Sequence, residues 1–329
     1  MTRQLNFQLV LKRFLLISLP LLVLVSAIVA LFYYIEVKNA KEERRIFETN
    51  ELNYVNLQLK TIINDFNMIK SDLMVLIGHH EMYKMLETEE VRHTKALADV
   101  FLLFCDAKGI YDQVRLLDEK GMEILRINYN NGKPFIVPKD QLQNKGKRYY
   151  FEDTFKLNEK KVFVSPFDLN IEGGEVEQPP KPMIRFCTPV FDNKGLKRGI
   201  VVLNYLGENL IDELKMASDG APGHVMLVNS DGYWLLGIKP EDEWGFMYKD
   251  RKFLIFGNTY PDAWQPISLN ESGHFYNTEG LFTFKTVSPL FHGWKSSSGS
   301  GKAFERSTKD LKASEYTWKI KIGRASCRE

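Results

Sequence analysis

The sequence predicts an α+β protein in which a membrane-spanning helix and a long stalk helix precede two tandem units, each built on an antiparallel sheet. Three observations predict this architecture. A stretch of 22 residues from Phe14 to Ile35 carries no charge. Apolar residues then recur every three or four positions as far as Leu76. Beyond Gly109, a strand–turn–strand pattern appears and recurs 111 residues later.

The composition excludes several classes of protein. The chain has 44 Lys and Arg against 42 Asp and Glu, so no basic excess favours nucleic acid as a partner. Its hydrophobic content of 44% is too high for a disordered chain. Three cysteines are too few for a disulfide scaffold. The 329 residues leave room for about two domains.

The uncharged run at residues 14–35 has the length of a transmembrane helix. A helix rises ~1.5 Å per residue, so about 20 residues cross the ~30 Å hydrocarbon core. Arg3, Lys12 and Arg13 precede the run without any acid, which predicts that residues 1–13 stay in the cytoplasm. The alternative is a cleaved signal peptide, although its apolar core is typically only ~7–15 residues. Either way, the rest of the chain is predicted to lie outside the cytoplasmic membrane, with the lipid bilayer as a partner.

Residues 36–80 are predicted to form one long stalk helix. Neither Pro nor Gly occurs from Glu36 to Ile77, and Gly78 supplies a stop. An apolar stripe repeats with a period of seven; its members are Leu52, Val55, Leu59, Ile62, Phe66, Ile69, Leu73 and Leu76. Two interpretations are open, since the stripe suits either the seam of a homodimer or docking along the helix's own domain. Some docking is favoured by further apolar residues at Leu57, Ile63, Met74 and Val75.

Two segments with the same pattern of apolar and turn residues are predicted β-hairpins. VRLLDEKGMEILRI covers Val114–Ile127, and VMLVNSDGYWLLGI covers Val225–Ile238. In each, Asp or Asn opens the turn and Gly supplies a positive φ. A third hairpin is predicted at residues 183–206, and a helix at residues 208–217 leads onward. An offset of 111 residues suits a duplicated domain and not a solenoid.

Several short motifs in the chain resemble one family of receptor domains. They include YDQVRLLDEKGMEILRIN (111–128), RYYFEDTFKL (148–157), SPFDLNIE (165–172), KPMIRFCTPVFD (181–192) and TEGLFTFKTVSPL (278–290). Together they are similar to the double Cache ectodomain (PDC-type, PAS-like) of bacterial transmembrane receptors, above all sensor histidine kinases and diguanylate cyclases. The resemblance implies a membrane-distal unit at residues 81–217 that holds a ligand pocket. It also implies a membrane-proximal unit at residues 218–321, cut short here, that passes the signal on.

Six residues of the predicted distal unit are candidates for binding a small ligand: Arg148, Tyr149, Tyr150, Asp168, Asn170 and Arg185. A guanidinium can hold a carboxylate through two parallel hydrogen bonds, Asp and Asn can receive an ammonium or a hydroxyl, and Tyr adds an apolar face. By resemblance, amino-acid sensors of the family use a similar set, although RYY stands here where they usually have Arg-x-Trp-Tyr. We therefore expect a carboxylate or an amino-acid-like ligand.

Each of these groups also has a structural alternative. The guanidinium of Arg148 or Arg185 could pair with a neighbouring acid and only hold loops together, the candidates being Asp168, Asp153 and Glu152. The predicted proximal unit contains an aromatic cluster, which comprises Trp234, Tyr260, Trp264, His274 and Tyr276. These residues could line a second cavity or simply form the hydrophobic core.

The sequence contains no recognisable catalytic or metal-binding motif. The six histidines lack HExxH or comparable spacing, and GxSxG, P-loop and GxGxxG motifs are absent. We therefore predict neither an enzyme nor a cofactor in this chain. Cys105 and Cys187 lie in apolar segments and are interpreted as buried thiols, with a disulfide between them as the alternative.

The last eight residues are interpreted as foreign to the protein. IGRASCRE, residues 322–329, reads as an in-frame translation of a sequencing adapter, so we expect the natural chain to continue beyond Lys321. The resemblance then implies a second membrane helix and a cytoplasmic output domain, a histidine kinase before a diguanylate cyclase. A membrane-tethered solute-binding or adhesion module without output is the alternative. The serine-rich segment at residues 295–302 is predicted to be a flexible surface loop.

Overall fold

The computed structural model describes residues 2–88, 91–130, 132–172, 174–221, 223–277, 280–300 and 305–323. Residues 324–329, which include Cys327 and most of the segment attributed to an adapter, lie outside the described residues. The α-helices are α1 (Thr2–Ile77), α2 (His80–Thr88), α3 (Val91–Lys108), α4 (Tyr149–Phe155), α5 (Gly207–Met216), α6 (Phe256–Thr259) and α7 (Pro261–Leu269). Short 3-10 turns occur at Lys139–Gln141, Pro240–Asp242 and Gly245–Met247.

The strands fall into two main sheets. Those of the first half of the chain are β1 (Tyr111–Asp118), β2 (Glu123–Asn130), β3 (Lys133–Ile136), β4 (Phe163–Val164), β5 (Asp168–Leu169), β6 (Ile171–Glu172), β7 (Glu175–Val176), β8 (Pro182–Phe191) and β9 (Lys197–Leu206). Those of the second half are β10 (His224–Asn229), β11 (Trp234–Leu236), β12 (Ser272–Asn277), β13 (Gly280–Val287), β14 (Lys295–Ser297), β15 (Asp310–Lys312) and β16 (Trp318–Gly323).

Residues 1–52 and residues 53–329 form two separate units. In the first unit, the apolar side chains of α1 between Val10 and Ile35 are largely exposed, as expected of a surface that faces lipid. Within the described residues, α1 is the one helix that is long and apolar enough to cross a membrane, and its most apolar window has a mean hydropathy of 2.9. The helix ends at Ile77, directly before Gly78, as predicted.

The second unit contains both main sheets. In the described residues, the first sheet has nine strands in the order β15-β14-β4-β8-β9-β1-β2-β3, with β5 also paired to β8. The second sheet follows the order β11-β10-β16-β13-β12, and β6 pairs with β7 separately. Pairing is antiparallel, except that β14 runs parallel to β4. The α+β class and the antiparallel sheets predicted from the sequence are confirmed.

The two predicted hairpins of the repeat share one turn structure. Asp118 Oδ1 accepts hydrogen bonds from the backbone N–H groups two and four residues later, both at 2.8 Å. Asn229 Oδ1 accepts the equivalent bonds at 3.0 and 2.9 Å. Gly121 and Gly232 complete these turns at φ +76° and +85°, a region that side chains rarely enter. The two turns, 111 residues apart, therefore have the same chemistry and the same geometry.

Part of the serine-rich segment at residues 295–302 is a β-strand and not the predicted flexible loop. Lys295–Ser297 forms β14, which pairs with β4 on one side and β15 on the other. Ser296 and Ser297 are buried, because small side chains fit between these strands and the sheet satisfies their backbone groups. The predicted flexible surface loop is wrong for these residues, while Gly301 and Lys302 lie outside the described residues.

Six of the eight residues of the predicted apolar stripe are buried in the core of the second unit, while Leu59 is partly buried and Leu52 is exposed. The members that are at most 1% exposed are Val55, Ile62, Phe66, Ile69, Leu73 and Leu76. The Phe66 ring packs edge-on against Phe186 of β8 and Trp318 of β16, with centroid distances of 5.0 and 5.8 Å. Each fully buried apolar side chain contributes roughly 1.5–3 kcal/mol. This packing supports the docking interpretation for residues 55–76.

Two buried carboxylates lie between these apolar residues, one heptad apart. The Tyr205 hydroxyl of β9 donates a hydrogen bond to Asp65 Oδ2 at 2.5 Å. The Tyr111 hydroxyl of β1 donates to Asp72 Oδ2 at the same distance. Lys108 Nζ of α3 lies 2.7 Å from Asp72 Oδ1. Polar contacts at both ends of one heptad thus fix the register of the stalk helix on the first sheet.

Candidate ligand site

One cavity of about 30 Å³ on the first sheet brings together all six residues predicted for ligand binding. We call it the Arg185 pocket. It is lined by Arg115, Lys145, Arg148, Tyr149, Tyr150, Asp168, Leu169, Asn170, Ile171, Glu172, Arg185 and Ser300. Sequence reasoning missed four of the polar lining residues, namely Arg115, Lys145, Glu172 and Ser300.

Helix α4 and the residue before it supply one wall of the pocket. Arg148 is the N-cap residue of α4 and has extended backbone angles, φ −81° and ψ 136°. Its side chain therefore extends from the position just before the first helical turn. Tyr149 and Tyr150 form the first turn, both are buried, and their rings meet edge-on at 5.7 Å. Burial raises the pKa of the Tyr149 hydroxyl, which therefore stays protonated. The RYY motif thus forms a wall of one guanidinium and two aromatic rings.

Arg185 is the centre of the opposite wall. It extends from the middle of β8, and its Nη1 donates to Asp168 Oδ1 at 3.0 Å while Nη2 donates to Asn170 Oδ1 at 2.9 Å. Its guanidinium lies 5.8 Å from the centroid of the Tyr150 ring. Burial favours the neutral form, but the Asp168 carboxylate outweighs it and holds the pKa of Arg185 above its usual value. Arg185 is therefore a permanently charged group that fixes the segment Asp168–Asn170.

One of the arginine–acid pairs predicted as a structural alternative to ligand binding is present in the structure. Arg185 does pair with Asp168. The other two acids point elsewhere: Asp153 contacts Lys156 at 3.0 Å, and Glu152 contacts Arg306 at 2.9 Å. Pairing within the pocket and ligand binding are compatible, because a fixed guanidinium can still donate from its remaining N–H groups.

Arg115 adds a second buried guanidinium that sequence reasoning missed. Its Nη1 donates to the Tyr150 hydroxyl at 3.1 Å. Behind it, Glu123 is shared between Arg115, at 3.6 Å, and Arg126, at 2.9 Å. The signal was present, since Arg115 interrupts an apolar strand in the same way as Arg185 does in β8.

Lys145 lies at the rim of the pocket and is half-buried. Burial, and next the positive charge of Arg115, lower the pKa of Lys145 to about 8, although Glu123 and Glu172 oppose this shift. Burial also lowers the pKa of Arg148 from its usual value. The pocket therefore has four cationic side chains on its lining against two acidic ones, and this excess favours an anionic guest.

The pocket and the stalk helix lie on opposite faces of β8. Arg185 points into the pocket, and Cys187 lies on the same face in a cluster with Tyr149 and Tyr150. Phe186, between them in sequence, belongs to the other face and contacts Phe66 of α1. Successive side chains of a strand alternate between faces, so one strand touches both the Arg185 pocket and the stalk helix.

Three of the predicted aromatic residues of the second sheet pack around Phe256. Trp234 and Trp264 contact Phe256 at centroid distances of 5.0 and 5.7 Å, and Tyr260 contacts it at 5.2 Å. His274 and Tyr276, on β12, lie outside the buried cluster. These contacts support the interpretation of the aromatic residues as core.

Both cysteines of the described residues are free thiols, so the disulfide alternative is wrong. Cys105 and Cys187 are buried, and burial raises the pKa of each thiol to about 12. Within the described part of the chain, no group of three or more His, Cys, Asp or Glu side chains could hold a metal ion.

A family model for the sensor domain of bacterial histidine kinases matches residues 48–293, which is most of the chain. No curated protein matches it. The matched family is one of sensor domains.

Several solved structures have the same fold. The extracellular domain of vpHK1S-Z8, described as a histidine kinase, superposes with a TM-score of 0.69 at 20% identity, over 85% of this chain and 92% of that one. A domain of a sensory box/GGDEF family protein from Vibrio parahaemolyticus gives 0.65 at 21%, over 84% and 98%. The ligand-binding domain of the Campylobacter jejuni chemoreceptor Tlp3, in complex with 4-methylisoleucine, gives 0.54 at 11%, over 85% and 91%. These similarities confirm the Cache-type fold expected from the sequence motifs.

Proposed function

The chain belongs to the sensor domains of bacterial histidine kinases, and from that premise we propose that it is the extracytoplasmic sensor of a membrane-anchored receptor. A small carboxylate or amino-acid-like ligand binds in the Arg185 pocket. Helix α1 anchors the sensor in the cytoplasmic membrane, with residues 1–13 inside the cell. Residues 81–217 form the membrane-distal unit and residues 218–321 the membrane-proximal unit, with β14 and β15 of the latter segment completing the first sheet.

The observation that carries this proposal is the convergence of three separate segments on one buried, cationic cavity. Arg148–Tyr150, Asp168–Asn170 and Arg185 were each singled out for their chemistry, and all of them line it. Taking several cations out of water is costly unless partners compensate them. Asp168 and Glu123 already lie against Arg185 and Arg115, and an anionic ligand would compensate the remaining excess of positive charge on the lining. The chemoreceptor with this fold binds isoleucine in one structure and L-valine in another, which supports a small ligand here.

The signal route we propose runs through β8 to the stalk. A ligand that contacts Arg185 shifts the centre of β8, and the neighbouring Phe186 carries that shift to Phe66 of α1. Packed side chains have discrete arrangements, so a small displacement favours one of two positions of the helix. Helix α1 also contains the apolar run, and this continuity passes the change toward the membrane. Beyond this sequence we place a histidine kinase or, second, a diguanylate cyclase, acting within a homodimer.

Binding is tested with the whole chain in lipid nanodiscs. Calorimetric titration against a panel of amino acids and carboxylates identifies a ligand, and Arg148→Gln removes one charged donor from the pocket. We expect the dissociation constant of that ligand to be about tenfold higher, or more, for Arg148→Gln than for the unaltered chain. This is the usual effect of losing a charge-assisted hydrogen bond. The matched control is Arg251→Gln, an arginine stacked on Tyr248 at 4.6 Å away from the pocket. An unchanged affinity in Arg148→Gln refutes the pocket assignment.

Transmission is tested separately by hydrogen exchange. We expect ligand binding to change the exchange of backbone amides in residues 53–77, the part of α1 that packs on the sheets. Binding without any change in this segment would instead identify a tethered solute-binding or adhesion module.

A further inference from the structure

Helix α5 connects the two sheets, and its C-terminal end is bonded to the stalk helix. It follows β9 of the first sheet and leads to β10 of the second. Leu214 of α5 is fully buried in the same apolar core as Phe66 of α1. The Gln58 amide of α1 donates to the Ser218 hydroxyl, which in turn donates to the Leu214 carbonyl oxygen at 2.7 Å. A change in the contact between α5 and α1 therefore affects the stalk and the connection between the sheets together.

One heptad beyond Gln58, a second contact between these helices joins two acids. The Tyr205 hydroxyl donates to Asp65 Oδ2 at 2.5 Å, and the half-buried Glu213 of α5 forms another side-chain hydrogen bond with Asp65. An ionised carboxylate only accepts hydrogen bonds, so this contact requires a proton on one of the two acids. Tyr205 already donates to Asp65 and favours its ionised form. Glu213 is therefore the acid that holds the proton and donates to Asp65.

The charged and titratable side chains around the Asp65–Glu213 pair are engaged with other partners. Asp72 of α1 accepts a hydrogen bond from Tyr111 of β1 at 2.5 Å and lies 2.7 Å from Lys108 Nζ of α3. On α5 itself, Lys215 lies 3.5 Å from Asp212, and both side chains are more than half exposed. Because these cations are held by other acids, two ionised carboxylates in the pair would repel each other with little compensation.

We propose that the Asp65–Glu213 pair is a proton-dependent contact between α5 and the stalk helix, and that through it the sensor responds to pH in addition to a ligand. The contact is intact while Glu213 is protonated. Burial, and next the Asp65 charge, hold the pKa of Glu213 above its usual value. As the pH rises through that pKa, a second negative charge develops beside Asp65 and drives α5 away from α1. The stability that the contact contributes is thus present at low pH and lost as the pH rises.

The test measures hydrogen exchange of residues 53–77 and 207–216 in the whole chain in nanodiscs at pH 5 and pH 8, after correction for the intrinsic pH dependence of exchange. We expect protection of both segments to be about tenfold lower at pH 8, the change that corresponds to one unit of pKa. Glu213→Gln keeps a donor but cannot ionise, so its protection should be equal at both pH values. Asp212→Asn, on the exposed side of the same helix, is the matched control and should keep the pH dependence of the unaltered chain.

Infrared difference spectroscopy of the same samples detects the proton itself. Between pH 5 and pH 8, the unaltered chain and Asp212→Asn should lose a C=O band of a protonated carboxyl that Glu213→Gln lacks at both pH values. Equal protection at both pH values in the unaltered chain, or a pH dependence that persists in Glu213→Gln, overturns the proposal. Absence of the band change in the unaltered chain also overturns it, even if Glu213→Gln fails to fold. Ligand binding in the Arg185 pocket uses other residues, so the proposed function stands after either result.

Discussion

The hydrogen bond from Tyr205 to Asp65 ties the stalk helix to β9, and replacing Tyr205 by Phe removes that bond alone. Both side chains are buried, at 1% and 6% exposure, and the oxygen atoms are 2.5 Å apart. Burial raises the pKa of Asp65, while the Tyr205 hydroxyl acts against this shift by stabilising the carboxylate. Glu213 of α5 lies close enough to Asp65 for their charges to interact. Burial and the Asp65 charge raise the pKa of Glu213.

The magnitude follows from the kind of bond. A hydrogen bond to a charged group contributes about 1.5–3 kcal/mol, and the Phe ring keeps the packing of the Tyr ring. For a domain of this size, each kcal/mol corresponds to roughly 2–4 °C in Tm, so Tyr205→Phe should lower Tm by roughly 3–12 °C. Without the hydroxyl, the pKa of Asp65 in the folded protein rises further. The neutral acid is then favoured by folding, so the loss of stability is larger at pH 8 than at pH 5.

The assay is thermal unfolding of the whole chain in detergent, followed by circular dichroism at both pH values. The control is Tyr233→Phe, whose hydroxyl donates to the Lys252 carbonyl oxygen at 3.1 Å at the surface. We expect this control to change stability by less than about 0.5 kcal/mol. If Tyr205→Phe is no more destabilising than the control at pH 8, the hydrogen bond does not hold the helix and the reasoning is refuted.

Three further changes test other parts of the structure. Arg185→Ala leaves Asp168 buried without its partner and should lower the free energy of unfolding in urea by about 3–5 kcal/mol. The double variant Arg185→Met with Asp168→Leu should recover most of that loss. Equal stability of the single and double variants would contradict this expectation. The affinity for a ligand carboxylate should fall as the pH rises above about 8, where Lys145 loses its proton, and the affinity of Lys145→Gln should stay constant over the same range. Phe66→Ala opens a cavity in contact with both sheets and should lower the free energy of unfolding by about 3–5 kcal/mol. Leu57→Ala, on the exposed face of the helix, should lower it by less than about 0.5 kcal/mol in the same experiment.

Local chemistry predicted the turns because each depends on neighbouring residues, and it also predicted the six candidate residues that line the Arg185 pocket, whose role in binding stays a prediction. Asp118 and Asn229 open turns that their own side chains stabilise, so the sequence was sufficient to predict both. A charge in an apolar strand marked Arg185 in the same way, since such a group must have a partner. The same pattern occurs around Arg115, which was not among the predicted site residues.

Long-range pairing accounts for what the sequence did not reveal. Lys295–Ser297 has the composition of a flexible loop, and its pairing with β15 and with β4, more than a hundred residues earlier, makes it a strand. The buried Asp65 and Asp72 likewise look like polar positions on an exposed helix face. Their burial depends on tyrosines of β1 and β9 that meet the helix only after folding.

The insertion of β14 into the first sheet means that the two sheets are not independent modules. A fragment that ends near residue 217 lacks β14 and β15, so β4 becomes an open edge with unpaired backbone groups. Such an edge is a template for pairing with other chains, and we expect the fragment to aggregate. The first sheet is completed only after nearly the whole ectodomain has been synthesised, and this late pairing favours slow folding. An exchange of sensor modules between receptors would therefore have to transfer both sheets together.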